Sequence, residues 1–207
     1  MINSWADCRD YIAADHFSRG GSGRLAREFL LHPVARFSVL MRLVEWQANN
    51  GTPLLLRLPL LLWFRRLSLR LGFSISPNVF GPGVAISHYG NIAVHPDAHV
   101  GRNCRIHIGT TIAGSAVIMD AADVPEHDAP IIGDNVYIGP GAKMYGPITI
   151  ADNCVIGANA VVTQSVERPG VTVAGIPARI VAEAGSQGML IRGCDRITAL
   201  SSDALTR

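Results

Sequence analysis

Aliphatic side chains recur at every sixth position through the middle of this 207-residue chain, and that period limits what it can fold into. From Ile132 the series runs through Ile138, Met144, Ile150, Ile156 and Val162, and the same spacing appears upstream at Val94, Val100, Ile106 and Ile112. Four residues after many anchors stands a second inward candidate, often small: Ala98, Cys104, Val136, Ala142, Ile148, Cys154 and Ala160. Glycine often follows the anchor directly, as at Gly101, Gly133, Gly139 and Gly157. An amphipathic helix repeats at about 3.6 residues and a strand at about 2, so neither explains the pattern. A solenoid with a triangular coil does: each side is a short strand, and each corner turns on a small residue. Stacked coils pair their backbones with the coils above and below, so the narrow interior holds no unpaired polar groups. Composition agrees, because hydrophobic residues reach 48% while aromatics are only 6%, which leaves an aliphatic core.

The phase breaks between Ile112 and Ile132, and the polar segment between them, with Pro125 and Pro130, reads as a loop ejected from one corner over about 115–130. Residues 1–72 lack the hexad and read as a short N-terminal α-helical segment. His32-Pro33 places proline at a first helical turn, Val34, Phe37, Met41 and Val44 line one face, and Asn49-Asn50-Gly51 ends that helix. A second apolar stretch runs from Pro53 to about Leu71, interrupted by Arg57 and Pro59 and edged by Arg65, Arg66 and Arg70. It is too short to span a bilayer. It suits either a helix buried against the coils or another subunit, the reading preferred here, or one lying on a membrane surface. The coils occupy 73–181, and residues 182–207 read as a mobile C-terminal extension.

The formal charge of +2 gives no reason to expect nucleic acid as a partner. Cys8, Cys104, Cys154 and Cys194 form no CxxC pair, which argues against zinc and a disulfide framework and fits a reducing cytoplasm. The opening residues MINSWADCRDYI contain no apolar run, so no signal peptide is expected.

Three stretches carry a family likeness: ISHYGNIAVHPDAHVG, then IIGDNVYIGPGAKMYGPITIADNCVIGANAVVTQSV, then VAGIPARIV. With them the chain from Ser74 to Val181 resembles the hexapeptide-repeat acyltransferases, most closely the serine acetyltransferase branch. The resemblance implies a mainly β fold, a left-handed parallel β-helix, assembled as a homotrimer with active sites in the clefts between subunits. It implies acetyl-CoA as co-substrate and no metal, with the CoA arm along the C-terminal coils. Carried over by motif, Ala158 offers backbone contacts to the pantetheine, Thr163 and Gln164 match the position that binds the far end of CoA, and Arg179 sits near its phosphates. Gln164 stands where many relatives carry lysine.

His88 matches the catalytic histidine. A hydroxyl needs a general base before it attacks a thioester, and an imidazole titrates near neutral pH. His127 lies close to a second histidine of the serine branch that touches the acceptor, about two residues out of alignment. His95, His99 and His107 read as polar turn or face residues, and Cys104 and Cys154 as small core residues, not nucleophiles. Two positions depart from the serine branch: Ser74 and Ser87 stand where it carries aspartates that help hold the base and the substrate. The helical part is shorter than the family's, and the C-terminal isoleucine that docks cysteine synthase is replaced by Thr206-Arg207, so no stable complex with that enzyme is expected. These departures move the expected acceptor from free serine toward a sugar or polysaccharide hydroxyl, with serine and an amino-sugar amine as alternatives. A non-catalytic scaffold is the rival of another class. A β-helical carbonic anhydrase would need zinc-binding histidines where Pro140 and Tyr145 stand.

Overall fold

The computed structural model describes residues 1–21, 24–115 and 128–198, and the hexad anchors run up the inside of a three-sided left-handed β-helix. One face stacks β1 (Phe73–Ser74), β3 (Ile92–Val94), β6 (Thr111–Ala113), β9 (Lys143–Tyr145) and β12 (Val161–Val162). A second stacks β4 (His99–Val100), β7 (Ile131–Ile132) and β10 (Thr149–Ile150). The third stacks β2 (Ala85–Ile86), β5 (Arg105–Ile106), β8 (Tyr137–Ile138), β11 (Val155–Ile156) and β13 (Thr172–Gly175), capped by β14 (Ala178–Ala182). Every pairing is parallel except β13 with β14, which turns back at Ile176-Pro177 and closes the end.

Register follows the period. Val94 pairs with Ile112, Ile112 with Met144 and Met144 with Val162, in steps of 18, 32 and 18 positions. The middle step exceeds the others by 14 (32 less 18), and of the loop expected over about 115–130, residues 116–127 lie outside the described residues. The loop's neck closes where the Ser115 N–H donates to the carbonyl and the carboxylate of Asp128, at 3.0 and 2.9 Å. Ile106, Ile138, Met144, Ile150 and Ile156 are wholly buried, and so are the small partners Ala98, Cys104, Val136, Ala142, Cys154 and Ala160. A large anchor facing a small one lets the coil close around a filled interior.

One corner carries a device that the hexad alone did not announce. Asn103, Asn135 and Asn153 stand one above another in the left-handed region, at φ 54°, 56° and 60°. Asparagine tolerates that conformation better than most residues with a Cβ. Each also binds the next: Asn103 Nδ2 donates to Asn135 Oδ1 at 3.0 Å, and Asn135 Nδ2 to Asn153 Oδ1 at 3.1 Å. Beyond β14 the chain does not stand away as a mobile extension. It returns to this corner, where Ser186 donates to the Asn135 carbonyl and the Cys194 N–H to Asn103 Oδ1, and residues 193–198 form a helical turn. These bonds give the returning backbone partners it would otherwise lack. Residues 199–207 lie outside the described residues.

Before the coils come α1 (Trp5–Ser18), α2 (Leu25–Leu31), α3 (Pro33–Asn49) and α4 (Leu54–Leu71). A capping box of Ser4 and Asp7 starts α1, Pro33 opens α3, and Gly72 at φ 73° ends α4. α4 continues through Pro59, an interior position at which proline has no N–H to give the usual bond four residues back. Phe37, Met41 and Val44 of α3 are buried as the spacing predicts, with Val34 partly so. Phe37 stacks on Phe64 at 5.2 Å and meets the edge of Phe73 at 4.9 Å, so aromatic rings cluster where helices meet the prism. Beside them Arg42 is fully buried, held by Asp15 at 2.8 Å and Glu45 at 2.9 Å, and it donates to the carbonyls of Phe80 and Gly81. Burial works against its charge, but the two carboxylates prevail and hold the guanidinium above its usual value. Asp15 also accepts from the N–H groups of Gly83 and Val84, so a single cluster ties α1 and α3 to the first coil.

Candidate active site

His88 lies in the turn that follows β2, at the corner between the third and first faces. The turns above it share that corner, joined rung by rung: Gly109 N–H donates to the Asn91 carbonyl, Gly141 to Ile108, and Asn159 to Pro140. Ala158 therefore stands on the same edge as His88, three coils away, or about 14 Å at the usual spacing between neighbouring strands. Gly90 is required here, since at φ 136° a Cβ would lie 2.4 Å from the Ile108 side chain. The turn is pinned from the other side by the Gly90 N–H, which donates to the carbonyl of Leu71 at 2.8 Å.

The His88 imidazole is exposed and, among the described residues, makes no hydrogen bond. Its ring neighbour is His107, 6.3 Å away between centroids. One coil apart, Ser87 Oγ accepts from Arg105 Nε at 3.1 Å and lies 3.4 Å from His107 Nε2. Burial, then Arg105, then His88 push the His107 pKa below its ordinary 6.5. Which of Ser87 Oγ and His107 Nε2 donates to the other is set by the imidazole tautomer. His107 also packs against Tyr137 at 5.1 Å. His107, expected as a polar turn or face residue, stands in the turn after β5 and so beside the His88 turn; Arg105 is the lining residue that the sequence did not single out. The signal was available in the register, because β2 pairs Ala85 with Arg105 and so sets Ser87 beside His107.

A cavity of about 390 Å³ opens beside His88, between the third face and the helices. Ser87, His88, Tyr89 and Arg105 line it from the coils, and Arg19, Glu28 and His32 from the helices. The Arg19 Nη1 is buried with no hydrogen-bond partner, and burial lowers its pKa against the pull of Asp15 and Glu28. Glu28 lies 3.0 Å from His16 Nδ1. Two guanidinium groups and one partnered carboxylate make this cavity receptive to an anion.

The remaining sequence-derived positions are dispersed. Ser74 ends β1 on the first face, opposite Ala93, and does not line the cavity. Thr163 and Gln164 are exposed just after β12, at the far end of that face. Arg179 is exposed on β14 opposite Ala174, whose side chain lies under Gly157 and so beneath the Ala158 turn. His127 lies outside the described residues. Cys104 is fully buried and its thiol is pushed up to about 12 by burial, so it stays protonated and inert.

Comparison with known proteins follows the same outline. Residues 129–164 match the bacterial transferase hexapeptide family (six repeats). The chain is 35% identical over 143 residues to serine acetyltransferase of Mycobacterium tuberculosis, spanning 69% of this chain and 58% of that protein. It is 33% identical over 180 residues to serine acetyltransferase of Synechococcus elongatus, spanning 84% of this chain and 69% of that protein. Among solved structures, serine acetyltransferase from Brucella abortus in complex with coenzyme A is similar at a TM-score of 0.66 and 28% identity, over 86% of this chain and 67% of that one. Neisseria gonorrhoeae serine acetyltransferase is similar at a TM-score of 0.69 and 25% identity, over 87% and 70%.

Proposed function

The chain belongs to the serine acetyltransferase branch of the hexapeptide-repeat transferases, and from that premise we propose that it moves an acetyl group from acetyl-CoA to a hydroxyl acceptor, with His88 as general base. The observation that carries this reading is the single corner that holds His88 at one end and the Ala158 turn at the other, beside a cavity receptive to a small anion. Acetyl-CoA lies with its pantetheine arm along that edge, its far end toward Thr163, Gln164 and Arg179, and its thioester at the His88 turn. His88 takes the hydroxyl proton, and the oxygen attacks the acetyl carbonyl carbon. As the tetrahedral adduct collapses, the carbon–sulfur bond breaks and the departing thiolate takes the proton back from His88.

The likeness to serine acetyltransferases weighs toward L-serine as acceptor, ahead of the sugar hydroxyl expected from the departures at Ser74 and Ser87. The cavity adds a reason of its own: Arg19 and Arg105 suit a carboxylate next to the reacting hydroxyl, which L-serine carries and a neutral sugar lacks. An acidic sugar keeps the same chemistry and is the second reading. The test is thiol release from acetyl-CoA with L-serine, L-serine amide, glucuronic acid and glucose as acceptors. Turnover with L-serine or glucuronic acid, and little with the amide or glucose, is expected. His88→Ala should lower it by about 10²- to 10⁴-fold. A His88→Ala variant with full turnover, or no acetyl transfer to any hydroxyl, overturns the proposal.

A further inference from the structure

We propose that the outer face of α2 and α4 docks on the surface of an anionic lipid bilayer and lays the catalytic corner near the headgroups; this goes beyond the acetyl-transfer reading and does not depend on the acceptor. The two halves of α4 differ. Phe64, Leu67 and Leu71 are buried against α3 and the first coil, as expected for a core helix. Facing away from the protein, Leu55, Leu58, Leu62 and Leu69 are 83%, 37%, 56% and 81% exposed. Their spacing of three, four and seven residues puts them in one stripe along the helix. Trp63, itself 46% exposed, meets Phe29 edge-on at 6.0 Å, which brings the exposed Leu30 and Leu31 at the end of α2 into the same patch.

Charge selects the occupant. Arg65, Arg66 and Arg70 are exposed along this stripe, and the sequence has no Asp or Glu between Glu45 and Asp97. Of the acids earlier in α2 and α3, Glu45 is buried on Arg42 and Glu28 stands beside His16. A second copy of the chain docked face to face would bring these arginines against one another with no carboxylate between them. Anionic headgroups supply the missing charge, and their acyl chains accept the leucines and tryptophan; this is the pattern of a helix that lies in a membrane interface. Among the described residues no helix is long and apolar enough to cross a membrane, so the helix rests on the surface.

The placement reaches the active corner. The carbonyl of Leu71 holds the Gly90 N–H, two residues beyond His88. From Leu62 to Leu71 the helix spans only about 14 Å. A docked α4 thus holds the His88 turn close to the headgroup layer, whatever the acceptor.

The test is co-sedimentation of the full chain with vesicles of phosphatidylcholine alone and with about a third phosphatidylglycerol, at about 0.1 M salt. Binding to the anionic vesicles only is expected. Changing both Arg65→Gln and Arg66→Gln should weaken it about thirty-fold. Leu55→Ser with Leu62→Ser should weaken it by at least about ten-fold, with the circular dichroism and thermal midpoint of the lipid-free protein retained. No binding to anionic vesicles overturns the proposal, as does equal binding by wild type and both variants. A fall in the sedimentation coefficient of the lipid-free protein on Leu55→Ser/Leu62→Ser also overturns it, by assigning the face to a second copy. Each readout is independent of acetyl transfer, so failure here and failure of the acetyltransferase reading are separate results.

Discussion

Between Val94 and Val162 the anchors that fill the prism are uncharged and aliphatic, whereas the helical layer buries a complete arginine–dicarboxylate cluster and leaves a row of leucines outside. The contrast has a physical origin. In the coils, each anchor sits on another anchor one coil away, so one spacing rule sets both the stacking of the anchors and the pairing of their strands. The helices have no such rule and reach the first coil through particular groups, chiefly Arg42 with Asp15 and the ring cluster around Phe37. Repetition makes the prism tolerant of local change, and singularity makes the junction brittle.

Three changes sharpen or break that contrast. The largest effect is expected at the junction, because Arg42→Ala leaves Asp15 and Glu45 buried without their counter-charge, at a cost of about 3–5 kcal/mol. Urea unfolding should show the helical signal lost ahead of the prism; a single unchanged transition would mean that the cluster does not join the two parts. Next comes the prism interior, where Ile138→Ala should cost about 2–4 kcal/mol. The neighbouring anchors Ile106 and Ile156, stacked above and below it, should hold the coil nearly in place. Loss of helical content with this variant would show that the two regions are not separable. The smallest effect is a pH dependence at the His88 corner. His107 has its folded pKa depressed below 6.5, so the unfolded chain binds the proton more readily. Stability from this residue is therefore intact above about pH 6.5 and declines as pH falls through that value. His107→Gln should flatten this part of the stability–pH curve; an unaltered slope would remove His107 from the account.

Much of the prism was legible because a period of six leaves few foldable outcomes: the anchors, the small partners and the break in phase at the loop all follow from spacing. His88 was legible through its motif, and the structure sets it on one edge with Ala158. What stayed hidden depended on contacts across the chain. Arg42 reads as a polar break in an apolar helix face, and nothing local to it points to Asp15, 27 positions earlier. Arg105 and His107 gain meaning only when the coil register places them against Ser87. The return of residues 183–198 to the asparagine corner was equally hidden, since short polar residues look like tail until their backbone partners are known.

The neck formed by Ser115 and Asp128 carries a consequence for how such a chain can change. The coil leaves and rejoins itself at one point, and the strands on either side keep pairing as though nothing intervened. Doubling the length of a flexible insertion adds only about 0.6 kcal/mol of closure cost. The neck is therefore a splice point: inserts of different length and chemistry can be joined at Ser115 and Asp128 while the paired coils on either side remain constant.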